Sequence, residues 1–300
     1  MSLVLLATTH RVAPGLLAWR AWAVAREGRV LTGTADHPQI PYLGSAGVEV
    51  EAVEPDARAV VALARREDVV WLAAPDGDAD FATRVGELVV ADPLDVEVVH
   101  GSYDLPGARL LDVVEVMRRL RRDCPWDRQQ THESLVPYLI EETYELVDAI
   151  GSGDPDELRE ELGDVLFQVA FHSAVAAERE EGFTIDDVAA GIVDKLVRRH
   201  PHVFADVRVE GAEEVVANWD EIKKAEKAGR PLLGGVPRSM PALGEADDLV
   251  RKARKAGVPE ALFAGFQERA EAARRAEAEL KAWSGEFRSL VEAWEARSRG

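Results

Sequence analysis

One cysteine, Cys124, stands in 300 residues. No disulfide can form within the chain, and a reducing cytoplasm is the expected setting. No apolar run is long enough to span a bilayer, which excludes a membrane helix. The first residues, Met1-Ser2-Leu3-Val4-Leu5-Leu6-Ala7, lack the basic start of a signal peptide and read as a strand. No G-x-G-x-x-G or P-loop pattern follows a strand, so the familiar glycine-rich phosphate cradles are missing. Basic residues are outnumbered, 36 Lys+Arg against 55 Asp+Glu, for a net charge of −19. Such a surface repels nucleic acid polymers and anionic lipid, so neither is an expected partner. A small anionic ligand is still admissible where local cations or a metal reverse the field.

What is present is ordinary for a soluble globular protein, 47% hydrophobic and 30% charged residues. The fold class expected is mixed: a small N-terminal α/β domain, an all-α helical domain and C-terminal helices. Residues 1–105 alternate strand-like runs (Leu3–Ala7, Val48–Val53, Val69–Ala74, Val96–Val99) with helical stretches (Gly15–Arg26, Asp56–Arg66, Asp80–Val89). That alternation predicts a small parallel sheet. From Leu110 the pattern is helical only, near 109–122, 134–150, 156–180, 185–199, 212–228, 240–256 and 260–297. Pro137 fits if its helix begins near Ser134. Thr184 and Asp187 form a candidate N-terminal cap. The Gly- and Pro-rich segment 229–241 reads as a linker. The expected domains are therefore 1–105, 106–230 and 231–300. The last helix carries Phe263, Phe266, Leu280, Trp283, Phe287, Leu290 and Trp294, a surface suited to a partner subunit or to the chain's own body.

Two acidic runs carry the chemistry. Glu142 and Glu145 are three residues apart in Glu141-Glu142-Thr143-Tyr144-Glu145, and Glu161 and Asp164 are three apart in Glu161-Leu162-Gly163-Asp164. Residues at i and i+3 share a helix face. Turn residues between the runs, Gly151-Ser152-Gly153-Asp154-Pro155, would fold the two helices antiparallel and bring both pairs together. Four oxygen donors across a helix pair suit a hard cation, magnesium first. The competing reading is a pair of solvated acidic faces. Interleaved Leu139, Ile140, Leu146, Val147, Ile150, Leu158, Leu162, Val165, Leu166 and Val169 argue against it, since carboxylates edging a core stripe need a partner. A di-iron bundle needs two E-x-x-H pairs; only Glu97 and His100 have that spacing, and they fall in a strand-like run.

Segment 120–135, with Asp123-Cys124-Pro125-Trp126-Asp127 and Gln130-Thr131-His132, resembles the lead-in of MazG nucleoside triphosphate pyrophosphohydrolases. The two acidic runs follow in that family's order. Asp194 through Phe204 and Asn218 through Lys223 also resemble it, so the likeness covers about 110–255. It implies a four-helix-type core, a homodimer or higher homo-oligomer, and hydrolysis of (deoxy)nucleoside triphosphates to monophosphate and pyrophosphate. Magnesium is implied, with manganese as substitute. Glu142, Glu145, Glu161 and Asp164 are the expected metal ligands, and Glu141 is placed to orient or deprotonate water. Lys195 and Arg199, at i and i+4, are implied phosphate contacts with a catalytic part; the alternative is a surface pair. Trp219 and Lys223, also i and i+4, are implied to lie near the nucleotide; the alternative is a core or interface tryptophan. Longer MazG proteins carry a second catalytic copy, but residues 240–300 hold no second pair of acidic runs. Residues 1–105, notably 96–102, resemble the end of the tetrapyrrole methylase domain fused to some MazG proteins, and read as a degenerate remnant of it. Its glycine-rich cofactor loops are not evident, so no methyl transfer is expected. A non-catalytic helical regulatory or nucleotide-binding module that retains the metal site is the alternative function.

Overall fold

A period of two in residues 1–105 gives strands whose side chains alternate between two helical layers. The computed structural model describes residues 1–75, 77–226, 229 and 231–299. Five strands form one parallel sheet: β1 (Leu3–Ala7), β2 (Arg29–Thr32), β3 (Val50–Ala52), β4 (Val69–Leu72) and β5 (Val96–His100), in the order β3-β2-β4-β1-β5. Val4 and Leu6 of β1 join one apolar cluster with Val24 of α1 (Trp19–Glu27) and Leu43 of α2 (Ile40–Ser45). Leu3 joins the opposite cluster with Val60 of α3 (Ala57–Ala64) and Phe81 of α4 (Ala79–Ala91). Trp71 of β4 stacks on Phe81 with ring centroids 4.0 Å apart, and its indole N–H donates to Asp78.

The exit of β1 is sealed by charge. Arg11, whose side chain is only 6% exposed, donates to Asp104 and grips Asp112 with two nitrogens. Asp112 lies on α5 (Arg109–Asp123), so this pair fastens the sheet to the first helix of the all-α part. Arg11, then His10 and Arg109, hold the Asp112 carboxyl far below the ordinary carboxylate range.

Helix α5 packs on α7 (Pro155–Ala177), with α6 (His132–Ser152) antiparallel beside α7. Met117, Leu135, Ala170, Phe171 and Val175 make their shared core. The remaining helices are α8 (Ile185–Arg199), α9 (Pro201–Phe204), α10 (Ala212–Glu226), α11 (Ala242–Lys255) and α12 (Ala264–Ser298). The chain divides into two compact units, 1–191 and 192–300. Among the described residues no helix is long and apolar enough to cross a membrane.

The structure departs from the sequence reading locally. β2, α2 and α9 were not expected. α6 begins at His132, not Ser134, because Thr131 and Ser134 exchange hydrogen bonds in a capping box. Pro137 consequently sits inside the helix, and the bond it removes would have gone to the carbonyl of exposed Glu133. Thr184 and Asp187 do cap α8, with the Thr184 N–H and hydroxyl both donating to Asp187. The last two residues of the helix expected over 212–228, and Arg230 in the expected linker, lie outside the described residues.

Candidate active site

The α6–α7 hairpin turns on one glycine. Gly153 has φ 75°, the left-handed conformation that ends helices, and its N–H bonds back to Ala149. Asp154 then caps α7 by accepting from Asp156 N at 2.8 Å, and Pro155 takes the first helical position. Glu145 and Glu161 each stand eight residues from Gly153, and Glu142 and Asp164 each stand eleven. A helix rises ~1.5 Å per residue, so the acids face each other at two heights, ~12 and ~16 Å from the turn.

The electrostatics repeat that pairing. Burial pushes the Glu142 carboxyl above its ordinary value, and Asp164 is the strongest charge acting on it, followed by Glu145. Burial also pushes up Glu161, where Glu145 is the strongest charge. Ligand oxygens of Glu142, Glu145 and Glu161 lie within 4.8 Å of one another. Asp164 is outside that trio but half-buried beside it on α7. Oε2 of Glu161 is buried without a hydrogen-bond partner. Among the described residues no lysine or arginine pairs with any of the four. Converging carboxylates with an orphaned oxygen fit a divalent cation, and the all-oxygen donor set favours a hard one. Glu141 is exposed one residue off this face.

The hairpin is braced from α5. Arg121 is buried and donates to Glu178 at 2.7 Å, to the Gln130 carbonyl at 3.1 Å and to the Asp127 carbonyl. It ties the end of α7 to the loop that leads into α6, and it lies over the Phe171 ring. Its neighbours Arg118, Arg119 and Arg122 are exposed. Trp126 anchors the same loop edge-on against Tyr138 and Phe171. His132 opens α6 against His172 of α7, with Nδ1 atoms 2.8 Å apart.

Residues 192–300 hold a second cluster. Lys223 and Arg199 both lie over the Trp219 ring, at 5.5 and 5.9 Å from its centroid. Arg199 and Arg198 both donate to Glu226, whose carboxyl they hold down at about 2. Lys195 is exposed one turn before Arg199. Three of the expected substrate contacts, Arg199, Trp219 and Lys223, are thus brought together. Glu226 was missed, as were the roles of Arg121 and His172. The first two are single residues whose partners lie 27 and 57 positions away, and no local spacing marks them.

Comparison with known proteins agrees with the geometry. Residues 130–204 match the MazG nucleotide pyrophosphohydrolase domain. An uncharacterized 26.1 kDa protein of Streptomyces cacaoi is 54% identical over 184 residues, 61% of this chain and 76% of that protein. The uncharacterized protein YabN of Bacillus subtilis is 54% identical over 138 residues, 45% of this chain and 28% of YabN. The nucleoside triphosphate pyrophosphohydrolase of Escherichia coli K12 is 47% identical over 152 residues, 50% of this chain and 57% of that enzyme. The chain therefore spans about half the length of the pyrophosphohydrolases it matches. Both acidic runs fall inside the matched segment, and with these identities the chain belongs to the MazG nucleotide pyrophosphohydrolase family.

Proposed function

We propose that the chain hydrolyses nucleoside or deoxynucleoside triphosphates to monophosphate and pyrophosphate, a nucleotide-pool housekeeping reaction in the cytoplasm. The observation that carries this reading is the convergence of Glu142, Glu145 and Glu161, with one Glu161 oxygen buried and without a protein partner. A triphosphate is itself strongly anionic and cannot approach that cluster unaided. Magnesium, or manganese in its place, would be held by Glu142, Glu145, Glu161 and Asp164 and would supply Lewis acidity toward water and the phosphate oxygens.

The chain's own groups do the rest. Water attacks the α-phosphorus, the bond from that phosphorus to the bridging oxygen of the β-phosphate breaks, and pyrophosphate leaves. Glu141, on solvent's side of the acidic face, orients that water and accepts its proton. Lys195, Arg199 and Lys223 hold phosphate oxygens, and Trp219 offers its ring to the base. Phosphate binding at Arg199 replaces the Glu226 carboxylate, a like-for-like exchange of anions. The functional domains are 1–105, 106–230 and 231–300, with the chemistry in the second. The exposed α6–α7 face, with Ile140, Tyr144, Val147, Ile150 and Leu162, supports a homodimer whose paired hairpins make the four-helix-type core. One observation favours the alternative, a nucleotide-binding module without turnover: Arg199 is already satisfied by Glu226.

The test is product identification with magnesium and a panel of ordinary and modified nucleoside triphosphates. Monophosphate plus pyrophosphate is expected. Orthophosphate plus diphosphate would overturn the bond assignment, and tight binding without products would favour the alternative module.

A further inference from the structure

Helix α12 is packed along only part of its length. Ala270 is its single buried residue, and Arg274 pairs with Asp247 of α11. Beyond Arg274 the hydrogen bonds and ion pairs of the described residues all stay within the helix. Yet this stretch is not polar. Leu280, Trp283, Phe287, Leu290 and Trp294 are 61–71% exposed. Their spacing is three, four, three, four, which is the a and d pattern of a coiled-coil heptad. Among the described residues of 192–300 an apolar seam of that regularity has no stabilising neighbour, and long helices in water draw their stability from packing.

We propose that residues 276–298 of α12 form a parallel, in-register coiled coil with a second copy of this chain. Identical seams are self-complementary, as a two-fold contact requires. The area suffices: at these exposures three aromatics and two leucines offer roughly 600 Å² per chain, about 1,200 Å² for the pair, the lower bound of a specific interface. The flanking charges select the orientation. In parallel pairing each g position faces the e position five residues on in the partner helix. Glu279 then faces Ser284, and Glu286 faces Val291. No acid meets an acid at these positions, which matters in a chain of net charge −19.

The proposal does not depend on the activity, and its test does not read turnover. In a Cys124→Ser background, Phe287→Cys places a thiol on the seam and Gly285→Cys places one on the outer face. Under mild oxidation at micromolar protein, the Phe287→Cys chain should cross-link to itself several-fold more than the Gly285→Cys chain. Adding Trp283→Glu and Leu290→Glu to the Phe287→Cys chain should abolish that cross-link. Equal cross-linking at 285 and 287, none at either, or persistence with both glutamates present would overturn the proposal. Positions 283, 285, 287 and 290 are exposed and Cys124 is half-buried, so circular dichroism checks that each variant keeps its helix content.

Discussion

The sheet and the α6–α7 hairpin treat buried polar atoms in opposite ways. In the sheet nearly every one is matched. Trp71 donates to Asp78, and His37 donates to the Ala73 carbonyl while accepting from the Gln39 N–H. Arg11 is shared by two aspartates, and Thr8 Oγ1 is the exception among the described residues. In the hairpin, like charges converge and Glu161 Oε2 is left over, as are Gln168 Oε1 and His172 Nε2 farther along α7. Satisfied networks specify a rigid structure, whereas an unsatisfied anionic cluster stores repulsion that a cation relieves. The contrast separates what holds the molecule together from what it is built to bind.

The sharpest way to break that contrast is to remove one acid. Glu161→Ala or Glu142→Ala should lower turnover by about 100-fold or more, because each deletes a ligand from the proposed cation site. Without metal, the same variants should unfold no earlier than the parent chain, since they relieve repulsion. Thermal unfolding with a chelator, run beside the activity assay, reads both outcomes. A marked loss of metal-free stability would mean the acids are structural.

Trp71→Ala is the opposite case. It empties a fully buried site in the sheet and should cost about 3–5 kcal/mol in urea unfolding. The turnover of protein that stays folded should be unchanged. Arg121→Met probes the brace between α5 and the hairpin. It leaves Glu178 and the Gln130 carbonyl without a donor, while the Asp127 carbonyl keeps the Gln130 N–H; Glu178 is half-exposed, so about 2–3 kcal/mol is expected. Turnover should fall as well, because the loop into α6 loosens.

The smallest effect concerns Glu226. Its folded value of about 2 lies below the ordinary 4.5, so its ion pairs with Arg199 and Arg198 stabilise above pH 4.5 and fade as pH falls toward 2. Glu226→Gln should flatten that part of the acid dependence, read as the difference in melting temperature between pH 7 and pH 3. An unchanged difference would show that the pairs contribute nothing.

Most helices were legible because their apolar residues recur over three or more turns. The span read as 185–199 is observed as Ile185–Arg199, and that read as 109–122 as Arg109–Asp123. β2 was not, because Arg29-Val30-Leu31-Thr32 is four residues between two glycines and too short to show a period. α2 was hidden by Pro41 and Gly44, which read as breakers. The acidic pairs were legible because i and i+3 spacing fixes a face whatever the tertiary fold. Arg121 was not: within a run of four arginines only its partner across the bundle distinguishes it. Ile140, Val147, Ile150, Leu162 and Val169 belong to the stripe expected in the core but are exposed, since helical periodicity reports an apolar face and not what covers it.

The symmetry of the acids about Gly153 makes the hairpin a ruler with its zero at the turn. One residue added to one arm would rotate that arm's acids by ~100° and lift them ~1.5 Å, so the two pairs would no longer meet. Seven added to each arm, nearly two full turns, would carry all four carboxylates ~10 Å farther along with their facing preserved. Arm length is thus free in steps of two turns and forbidden between them, which makes the phase of the helix as much a part of the site as its glutamates.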